Sequence, residues 1–418
     1  MSSPDRSTPL STSPTTSDTR RIFLAQALRA FAYGFASVLL STSLADRGLS
    51  RGDVGLVLGA ILAGTATTSL LIGRYGDRLG RRRWYALLFA LLGATGVVFA
   101  FASSAWVLAV AGGTGSLSTE VVESGPFTTL EQSMLATGRG QHARTTRLSR
   151  YNAVATASGS LGALTVALLD LLHRHVSSYR VSPHWFLLFV PIAFAGAFIA
   201  RSLSPAIEAP ATSGPTAHLE RSRGVVWRLS SLFALDSFAG GITVSVFIGF
   251  YLHTRFHASS GTIGVLFFLF GVLQTASFLA APLLARRFGL LRTMVFTHLP
   301  TDLLLMGVAL APSLSVAIAL LLLRTCLSQM GVPTRQAYVM TLVDSNERTP
   351  AAAHTNTARY LARPLGPPLA SALSQVGLGV PFLVAGSLKA VYDVALWSWF
   401  RRVALPDEGA EFAPRPLT

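Results

Sequence analysis

Long apolar segments separated by short polar ones run through most of the chain. A typical segment, 54–73, reads VGLVLGAILAGTATTSLLIG and carries no charged residue. About twenty apolar residues in a helix cross the roughly 30 Å hydrocarbon core of a bilayer. Each such segment predicts a membrane-spanning helix, because a helix satisfies its own backbone hydrogen bonds in lipid. The apolar runs do not alternate with a period of two, so the pattern does not favour a β-barrel.

Charge and turn signals divide the chain into twelve predicted spans. The predicted fold class is therefore an all-α membrane protein with 12 transmembrane helices in two six-helix bundles. Helix boundaries predicted from sequence are uncertain by several residues. The predicted spans are 22–45, 53–73, 84–102, 105–126, 151–172, 184–202, 226–252, 260–284, 293–311, 314–334, 353–376 and 381–400.

A long polar stretch rich in Pro, Ala and Ser lies at mid-chain, between the sixth and seventh spans. It predicts a linker between two halves, and the Ser/Thr/Pro-rich N-terminus predicts a disordered tail. The predicted domains are a disordered cytoplasmic tail (1–19), an N-terminal six-helix bundle (20–203), a cytoplasmic linker (204–224), a C-terminal six-helix bundle (225–402) and a cytoplasmic tail (403–418).

Composition supports a membrane protein and sets its orientation. Only 13% of the residues are charged, whereas soluble domains carry about 25%. The net charge of +15 does not indicate nucleic-acid binding, because the arginines gather in short loops on the side of the N-terminus, which the positive-inside rule assigns to the cytoplasm. The Arg-rich composition, with Lys389 as the only lysine, suggests a bacterial inner membrane. We therefore predict a multi-pass inner-membrane protein with lipid as its surroundings and both termini in the cytoplasm.

Three sequence matches relate the two halves. GRYGDRLGRRR at 73–83 corresponds to PLLARRFGLLR at 282–292, and GPFTTLEQ at 125–132 corresponds to GVPTRQ at 331–336. Asn152 in the fifth span matches Asn356 in the eleventh. Each match is weak alone, but their common order supports duplication with parallel halves.

The loop after the second span carries a specific motif. Its residues resemble the signature Gly-x-x-x-Asp-Arg-x-Gly-Arg-Arg/Lys that members of the major facilitator superfamily carry between helices 2 and 3. The resemblance implies two bundles around a central cavity that opens alternately to either side. No phosphate-binding loop or metal-ligand spacing is present, so we predict no cofactor, no metal and no enzymatic activity. The matching residues are Gly73, Asp77, Arg78, Gly80, Arg81 and Arg82.

This motif predicts a latch between the two halves on the cytoplasmic side. Asp77 is expected to face the N-terminus of helix 11, near 351–354, where the helix dipole stabilises a carboxylate. Arg78 or Arg81 is expected to reach Glu131 at the cytoplasmic end of helix 4. Such contacts would hold the outward-open state. The alternative role for these arginines is to fix topology only.

Ionisable residues at bilayer depth are functional candidates because they are costly there. The resemblance implies that helices 1, 4, 7 and 10 line the cavity, and the predicted cavity residues are the polar ones on those helices. The structural alternative is that Arg29 pairs with Glu120 or Glu123 and holds helix 1 against helix 4. The predicted cavity residues are Arg29, Tyr33, Glu123, Asp236, Arg324 and Gln329.

A carboxylate in a partly dry cavity can load and release a proton near neutral pH. Lys389 and Asp393, four residues apart on helix 12, are expected to pair with each other. Arg359 and Arg363 on helix 11 would serve an anionic group or the acids at the inner gate, or else extend towards the cytoplasm. The proton-coupling candidates are Asp236, Glu123, Glu120 and Asp302.

Together these features predict a secondary transporter that works by alternating access, with proton-coupled export of a small organic solute. The family's arginine signature in helix 4 is absent, and its antiporter motif in helix 5 is reduced to SGSLGAL at 158–164. A facilitator, or a proton symporter that imports a polar metabolite, therefore stays open, as does a non-transporting sensor or scaffold. Mixed charges in the cavity favour a polar or zwitterionic solute. We expect a monomer whose partners are the solute and protons.

Overall fold

The computed structural model describes most of the chain, and nearly all of the described residues are helical. The prediction of an all-α membrane fold is confirmed. The described residues are 16–118, 120, 125–135, 141–173, 175–176, 181–208, 222–328, 331–343 and 347–401.

The first six predicted spans correspond to seven consecutive α-helices in the described ranges, with one 3₁₀ helix at Pro183–Leu188 before the last of them. The α-helices are α1 (Thr16–Asp46), α2 (Arg51–Leu79), α3 (Arg81–Phe101), α4 (Ala105–Gly112), α5 (Pro126–Leu135), α6 (Gln141–His173) and α7 (Phe189–Ser202).

The last six predicted spans correspond to the helices that follow in chain order, with a 3₁₀ turn at Arg363–Leu365. The α-helices are α8 (Arg223–Ile242), α9 (Ser245–Phe256), α10 (Ser260–Phe288), α11 (Leu290–Ala309), α12 (Leu314–Ser328), α13 (Gly331–Leu342), α14 (Arg348–Ala362), α15 (Gly366–Val376) and α16 (Val380–Phe400).

Helix α1 begins earlier than predicted, inside the segment that was assigned to the disordered tail. The tail was expected to reach residue 19, but the helix already begins at Thr16. The side chain of Asp18 is buried and accepts hydrogen bonds from the backbone N–H and the hydroxyl of Ser204, at 3.0 and 2.6 Å. This contact anchors the first turn to the end of the N-terminal half.

Three predicted spans are interrupted within the described residues where a continuous helix was expected, namely the fourth, seventh and eleventh. The described residues between α4 and α5 are not helical. Non-helical backbone survives in a membrane only where protein or water satisfies it. Here the hydroxyl of Tyr33 donates to the carbonyl of Ser116 at 2.7 Å, and the hydroxyl of Thr65 donates to the carbonyl of Leu117 at 3.3 Å. These two hydrogen bonds satisfy backbone carbonyl groups in the described part of the break.

Eight segments of the described residues are long and apolar enough to cross a membrane on length and composition alone. The other four predicted spans are the ninth, which carries Asp302, the interrupted fourth and eleventh, and the tenth, whose helix α12 has 15 residues. Polar residues and breaks weaken the hydropathy signal in these spans, although the chain still folds as helices there.

The repeat of the two halves is visible at the loop after their second helices. Gly80 joins α2 to α3 with φ of 89°, and Gly289 joins α10 to α11 with φ of 83°. A positive φ is readily adopted by glycine and strained for other residues. The pairing of PLLARRFGLLR with GRYGDRLGRRR therefore corresponds to one turn geometry used twice.

Helices from the two halves pack directly against each other. Within the halves, α1 packs against α6 and α3 against α7, while α11 packs against α16 and α8 against α14. Between the halves, α6 packs against α10, α1 against α9 and α2 against α15.

Contacts between the halves are found on the side of the molecule opposite the 73–83 loop, which we call the far side. His253 lies 3.1 Å from Asp46, and the hydroxyl of Ser259 donates to Asp170 at 3.1 Å. The hydroxyl of Ser371 donates to the backbone carbonyl of Arg51. These contacts close the far side.

A bulky residue at Gly264 is expected to open the far side. A Cβ atom there would lie 2.7 Å from the carbonyl oxygen of Ala163 on α6, closer than real Cβ atoms come. Overpacking costs about 1–3 kcal/mol, which would shift the equilibrium between closed and open forms by about 5- to 150-fold. In a Cys326→Ser background, spin labels at the positions of Asp46 and His253 should move apart in Gly264→Leu. Gly224→Leu, where a Cβ meets nothing within 4 Å, should leave the label distance unchanged.

Candidate functional site

A cavity of about 210 Å³ lies between the two halves, at the level of the middle of the helices. Its walls come from both halves: Gly34 lies on α1, Ser160 on α6, Gln274 on α10 and Arg324 on α12. The walls are rich in polar and charged groups, which are rare in a membrane unless they face a cavity or a partner. The cavity is therefore the candidate site.

Asp236 on α8 is the centre of a charged cluster at this cavity. Its Oδ1 lies 2.6 Å from the Nζ of Lys389 on α16, and its Oδ2 lies 3.4 Å from the Nη1 of Arg335 on α13. The three side chains are largely buried. Lys389 was predicted to pair with Asp393, and that prediction is wrong because α16 turns the ammonium group towards α8.

Asp393 instead neighbours Asp302. The two residues lie on the tightly packed helices α16 and α11, and they are 1% and 2% exposed. Their carboxyl groups interact electrostatically with each other. Among the described residues, no donor reaches Oδ2 of Asp302 or either carboxyl oxygen of Asp393. Two buried carboxyl groups thus meet without a donor at these oxygens.

Glu120 and Arg363 form an ion pair across the cavity. The Nη2 of Arg363 lies 2.8 Å from the Oε1 of Glu120, and both side chains are partly exposed to the cavity. Glu120 belongs to the non-helical stretch between α4 and α5, and its backbone N–H donates to the hydroxyl of Ser118 at 3.1 Å. Arg363 begins the 3₁₀ turn between α14 and α15. The pair therefore joins the two halves at their centre.

Arg29 and Tyr33 lie inside the N-terminal half and not in the cavity wall. The guanidinium of Arg29 donates to Oε2 of Glu131 at 2.8 Å, and Arg29 and Glu131 are 2% and 0% exposed. The hydroxyl of Tyr85 donates to Oε1 of Glu131 at 2.7 Å, and the hydroxyl of Tyr151 donates to Oε2.

These contacts correct two predictions. Arg29 was expected to face the cavity or to pair with Glu120 or Glu123, and Glu131 was expected to meet Arg78 or Arg81. The physical reason is that α5 begins at Pro126, which places Glu131 on its second turn, opposite Arg29 on α1. Glu131 is fully enclosed there and has no route to the loop.

The motif residues organise the turn between α2 and α3. Gly73 lies on α2, and Arg78 in the last turn of α2 contacts the ring of Tyr75. The side chain of Asp77 lies outside the described residues, so its predicted contact with helix 11 stays a prediction. Glu123 and Gln329 also lie outside the described residues.

Glu208 is a partner of the motif that the sequence analysis missed. Its carboxylate accepts hydrogen bonds from the backbone N–H groups of Arg81 and Arg82, at 2.6 and 3.1 Å. A carboxylate at a helix N-terminus is stabilised by the helix dipole. The guanidinium of Arg82 donates to the carbonyl of Arg201 at 2.6 Å. The motif thus ties the α2–α3 turn to the segment after α7.

Other cavity residues were also missed or given another role. Arg335 had been given no role, although it follows Pro333 in the repeated GVPTRQ element. No three His, Cys, Asp or Glu side chains in the described ranges lie close enough together to hold a metal ion. The described cavity walls carry charged, hydroxyl, amide and imidazole side chains.

Comparison with known proteins identifies the family. The family model described as Major Facilitator Superfamily matches residues 22–367 and 229–416. A curated relative, the uncharacterized membrane protein YJR124C of Saccharomyces cerevisiae, is 25% identical and covers 92% of this chain and 94% of its own length.

Solved structures of transporters share the fold. The nucleoside transporter NupG has a TM-score of 0.72 at 13% identity and covers 92% of this chain and all of its own. A D-xylose-proton symporter has a TM-score of 0.69 at 17% identity, covering 90% of this chain and 97% of its own. The inward-open xylose transporter XylE from E. coli gives 0.69 at 16% identity, covering 93% and 97%. With its motif, its two helical bundles and a family match over most of its length, the chain belongs to the major facilitator superfamily of membrane transporters.

Proposed function

We propose that this protein carries a small organic solute through the central cavity by alternating access, and that a proton moves with each cycle. The observation that supports this proposal is the cavity itself. Charged side chains from both halves face one space, and contacts between the halves close its far side. Rocking of one half against the other around such a site moves a solute without a channel. Because the cavity and the closing contacts lie within one chain, the proposed working unit is a monomer.

The proposed orientation places the 73–83 loop and both termini in the cytoplasm. The arginines of the connecting segments are concentrated on this side, as the positive-inside rule requires. The far side then faces the outside of the inner membrane, and the described conformation is closed to the outside. The predicted contact of Asp77 on the basic side would belong to the opposite state, which is open to the outside.

The proposed proton site is the pair formed by Asp302 and Asp393. Two carboxylates in contact repel each other when both are ionised, and one shared proton removes the repulsion. The charged groups facing the pair are Lys389 on α16, Arg324 on α12 and Asp236 on α8. Lys389 interacts electrostatically with this pair, and it also forms an ion pair with Asp236. Loading or losing the proton would therefore alter the hold of Lys389 on Asp236 at the cavity wall.

Asp393→Asn is expected to uncouple the proton from the solute. The Asn amide can donate to Asp302 and keep it ionised, but it cannot carry the proton. A thermal-shift screen of metabolites and drugs at pH 6 and pH 8 would first supply a solute, since binding to the folded state raises apparent stability. In proteoliposomes, accumulation driven by a pH gradient should fall to the level of protein-free liposomes, while exchange of labelled for unlabelled solute continues.

Asp53→Asn is the matched control, because Asp53 belongs to a capping box at the start of α2, away from the cavity. It should retain accumulation driven by the gradient. Full accumulation by Asp393→Asn would contradict the proposed proton site. Solute binding with neither accumulation nor exchange in the native protein would contradict transport and support a sensor.

Export in exchange for protons is the proposed direction, and import by proton symport is the alternative. The structural neighbour described as a D-xylose-proton symporter supports the alternative. The two proposals predict opposite signs in the same assay. With an acidic lumen, an exchanger draws the solute into the liposome, whereas a symporter drives it out.

A further inference from the structure

The described walls of the cavity carry an excess of positive charge. Five cationic side chains face two carboxylates there. Bringing so many like charges together at bilayer depth is unfavourable unless an anion compensates them. The cations are Arg324, Arg335, Arg359, Arg363 and Lys389, and the carboxylates are Glu120 and Asp236.

The two carboxylates are already held by cations of the wall. Asp236 lies against Lys389 and Arg335, and Glu120 lies against Arg363. The excess is centred on Arg324, whose buried Nε has no hydrogen-bond acceptor among the described residues. Arg324 is within electrostatic range of Asp302, Glu120 and Asp236.

Glu120 is the more exposed of these two carboxylates. It belongs to a non-helical stretch, and its side chain is 26% exposed, whereas that of Asp236 is 7% exposed. An ion pair that solvent reaches is held less tightly than one that is fully buried. An incoming anion can therefore take the place of the Glu120 carboxylate beside Arg363.

We propose that the cavity binds a small organic anion whose carboxylate lies between Arg363 and Arg324, and that Glu120 occupies this subsite in the empty protein. Arginine suits a carboxylate because its planar guanidinium donates two parallel hydrogen bonds. Displacement of Glu120 breaks the central ion pair between the halves. Anion binding thus releases a contact that resists their relative movement. The proposal rests on the transport function proposed above.

The chemical class is tested with matched pairs of anions and neutral analogues. The probes are succinate with succinamide, benzoate with benzamide, and glucuronate with glucose, each titrated against the purified protein by thermal shift. At least one anion should stabilise the protein, while its neutral partner should not. Equal stabilisation by both members of every pair, or no stabilisation by any anion, would overturn the proposal.

The subsite is tested with variants and the anion that stabilises best. Arg324→Gln and Arg363→Gln should each raise its Kd at least about tenfold, the effect of losing a charge-assisted hydrogen bond. Glu120→Gln should lower the Kd about two- to fivefold, because it removes the competing carboxylate of a partly exposed pair. Asp53→Gln, a lost carboxylate outside the cavity, should leave the Kd unchanged.

The outcomes separate this proposal from the transport function. A neutral solute that is transported with unchanged affinity in Arg324→Gln would overturn the anion subsite and leave transport standing. Tight anion binding that follows the variants, without movement across proteoliposomes, would support the subsite and contradict transport. An unchanged or raised Kd in Glu120→Gln would show that Glu120 does not compete with the anion.

Discussion

Asp236→Asn is expected to reduce transport to the level of protein-free liposomes. The substitution leaves Lys389 and Arg335 facing each other at the cavity wall without the carboxylate that they share, at 2.6 and 3.4 Å. Removal of one partner from a buried ion pair costs about 3–5 kcal/mol because the remaining charge is uncompensated. Here two cations lose the carboxylate that they share, so the destabilisation should be near the upper end of that range. Water that enters the cavity would reduce it.

The cluster joins three helices of the C-terminal half, and this is why the effect should reach transport. Asp236 lies on α8, Arg335 on α13 and Lys389 on α16. Helix α8 borders the interruption of its span at 243–244. A cluster at such a place sets the relative positions of the wall helices, so its loss should change the geometry that both states of the cavity require.

Paired variants distinguish a charge cluster from a simple packing contact. Asp236→Asn with Lys389→Gln should recover part of the thermal stability lost in Asp236→Asn, because one stranded cation is removed. Transport should stay absent if the carboxylate itself takes part. Asp53→Asn serves as the control and should behave as the native protein. Native transport by Asp236→Asn, measured in proteoliposomes, would exclude Asp236 from the mechanism.

The fold was predictable because its signals are local. Each span is a run of apolar residues, and the motif at 73–83 marks the turn at Gly80. The position of Asp236 at the cavity also followed from the helix that carries it. Hydrophobic periodicity is enough to assign a residue to a helix, whereas the placement of Asp236 at the cavity also needed the resemblance, which implies that helix 7 lines it.

The partners of charged residues were not predictable, because they depend on how distant helices face each other. Lys389 has Asp393 one turn away, yet its ammonium reaches Asp236 on α8. Spacing of four residues shows only that two side chains share a helix face. The break after α4 had the same effect on the N-terminal half: it moved Glu131 out of reach of the loop and towards Arg29. A Gly- and Ser-rich stretch before Pro126 was the signal available for that break.

Glu131→Gln is expected to be among the most destabilising single substitutions in the chain. Glu131 has no exposed surface and accepts hydrogen bonds from Arg29, Tyr85 and Tyr151. Replacing the carboxylate by an amide leaves the buried guanidinium without its counter-charge, which costs about 3–5 kcal/mol. Two tyrosine hydroxyls also lose a charged acceptor, and hydrogen bonds to charged groups are the stronger ones. A large fall in the melting temperature of the purified protein checks this expectation.

The double variant Arg29→Met with Glu131→Leu isolates the pair. Replacing a buried ion pair by apolar residues of similar volume is often neutral or stabilising, so the double variant should be more stable than either single one. Arg287→Met on the exposed surface of α10 is the control and should stay within about 0.5 kcal/mol of the native protein.

The same variants decide whether Arg29 belongs to the transport site. The cluster is enclosed by α1, α3, α5 and α6 of the N-terminal half, with Tyr33 and Phe127 stacked near the guanidinium. If it only holds this half together, the folded fraction of the double variant should bind its solute with native affinity. A double variant that melts like the native protein but has lost binding would support the prediction from the sequence that Arg29 lines the cavity. That result would also require a second conformation in which α1 turns Arg29 away from Glu131.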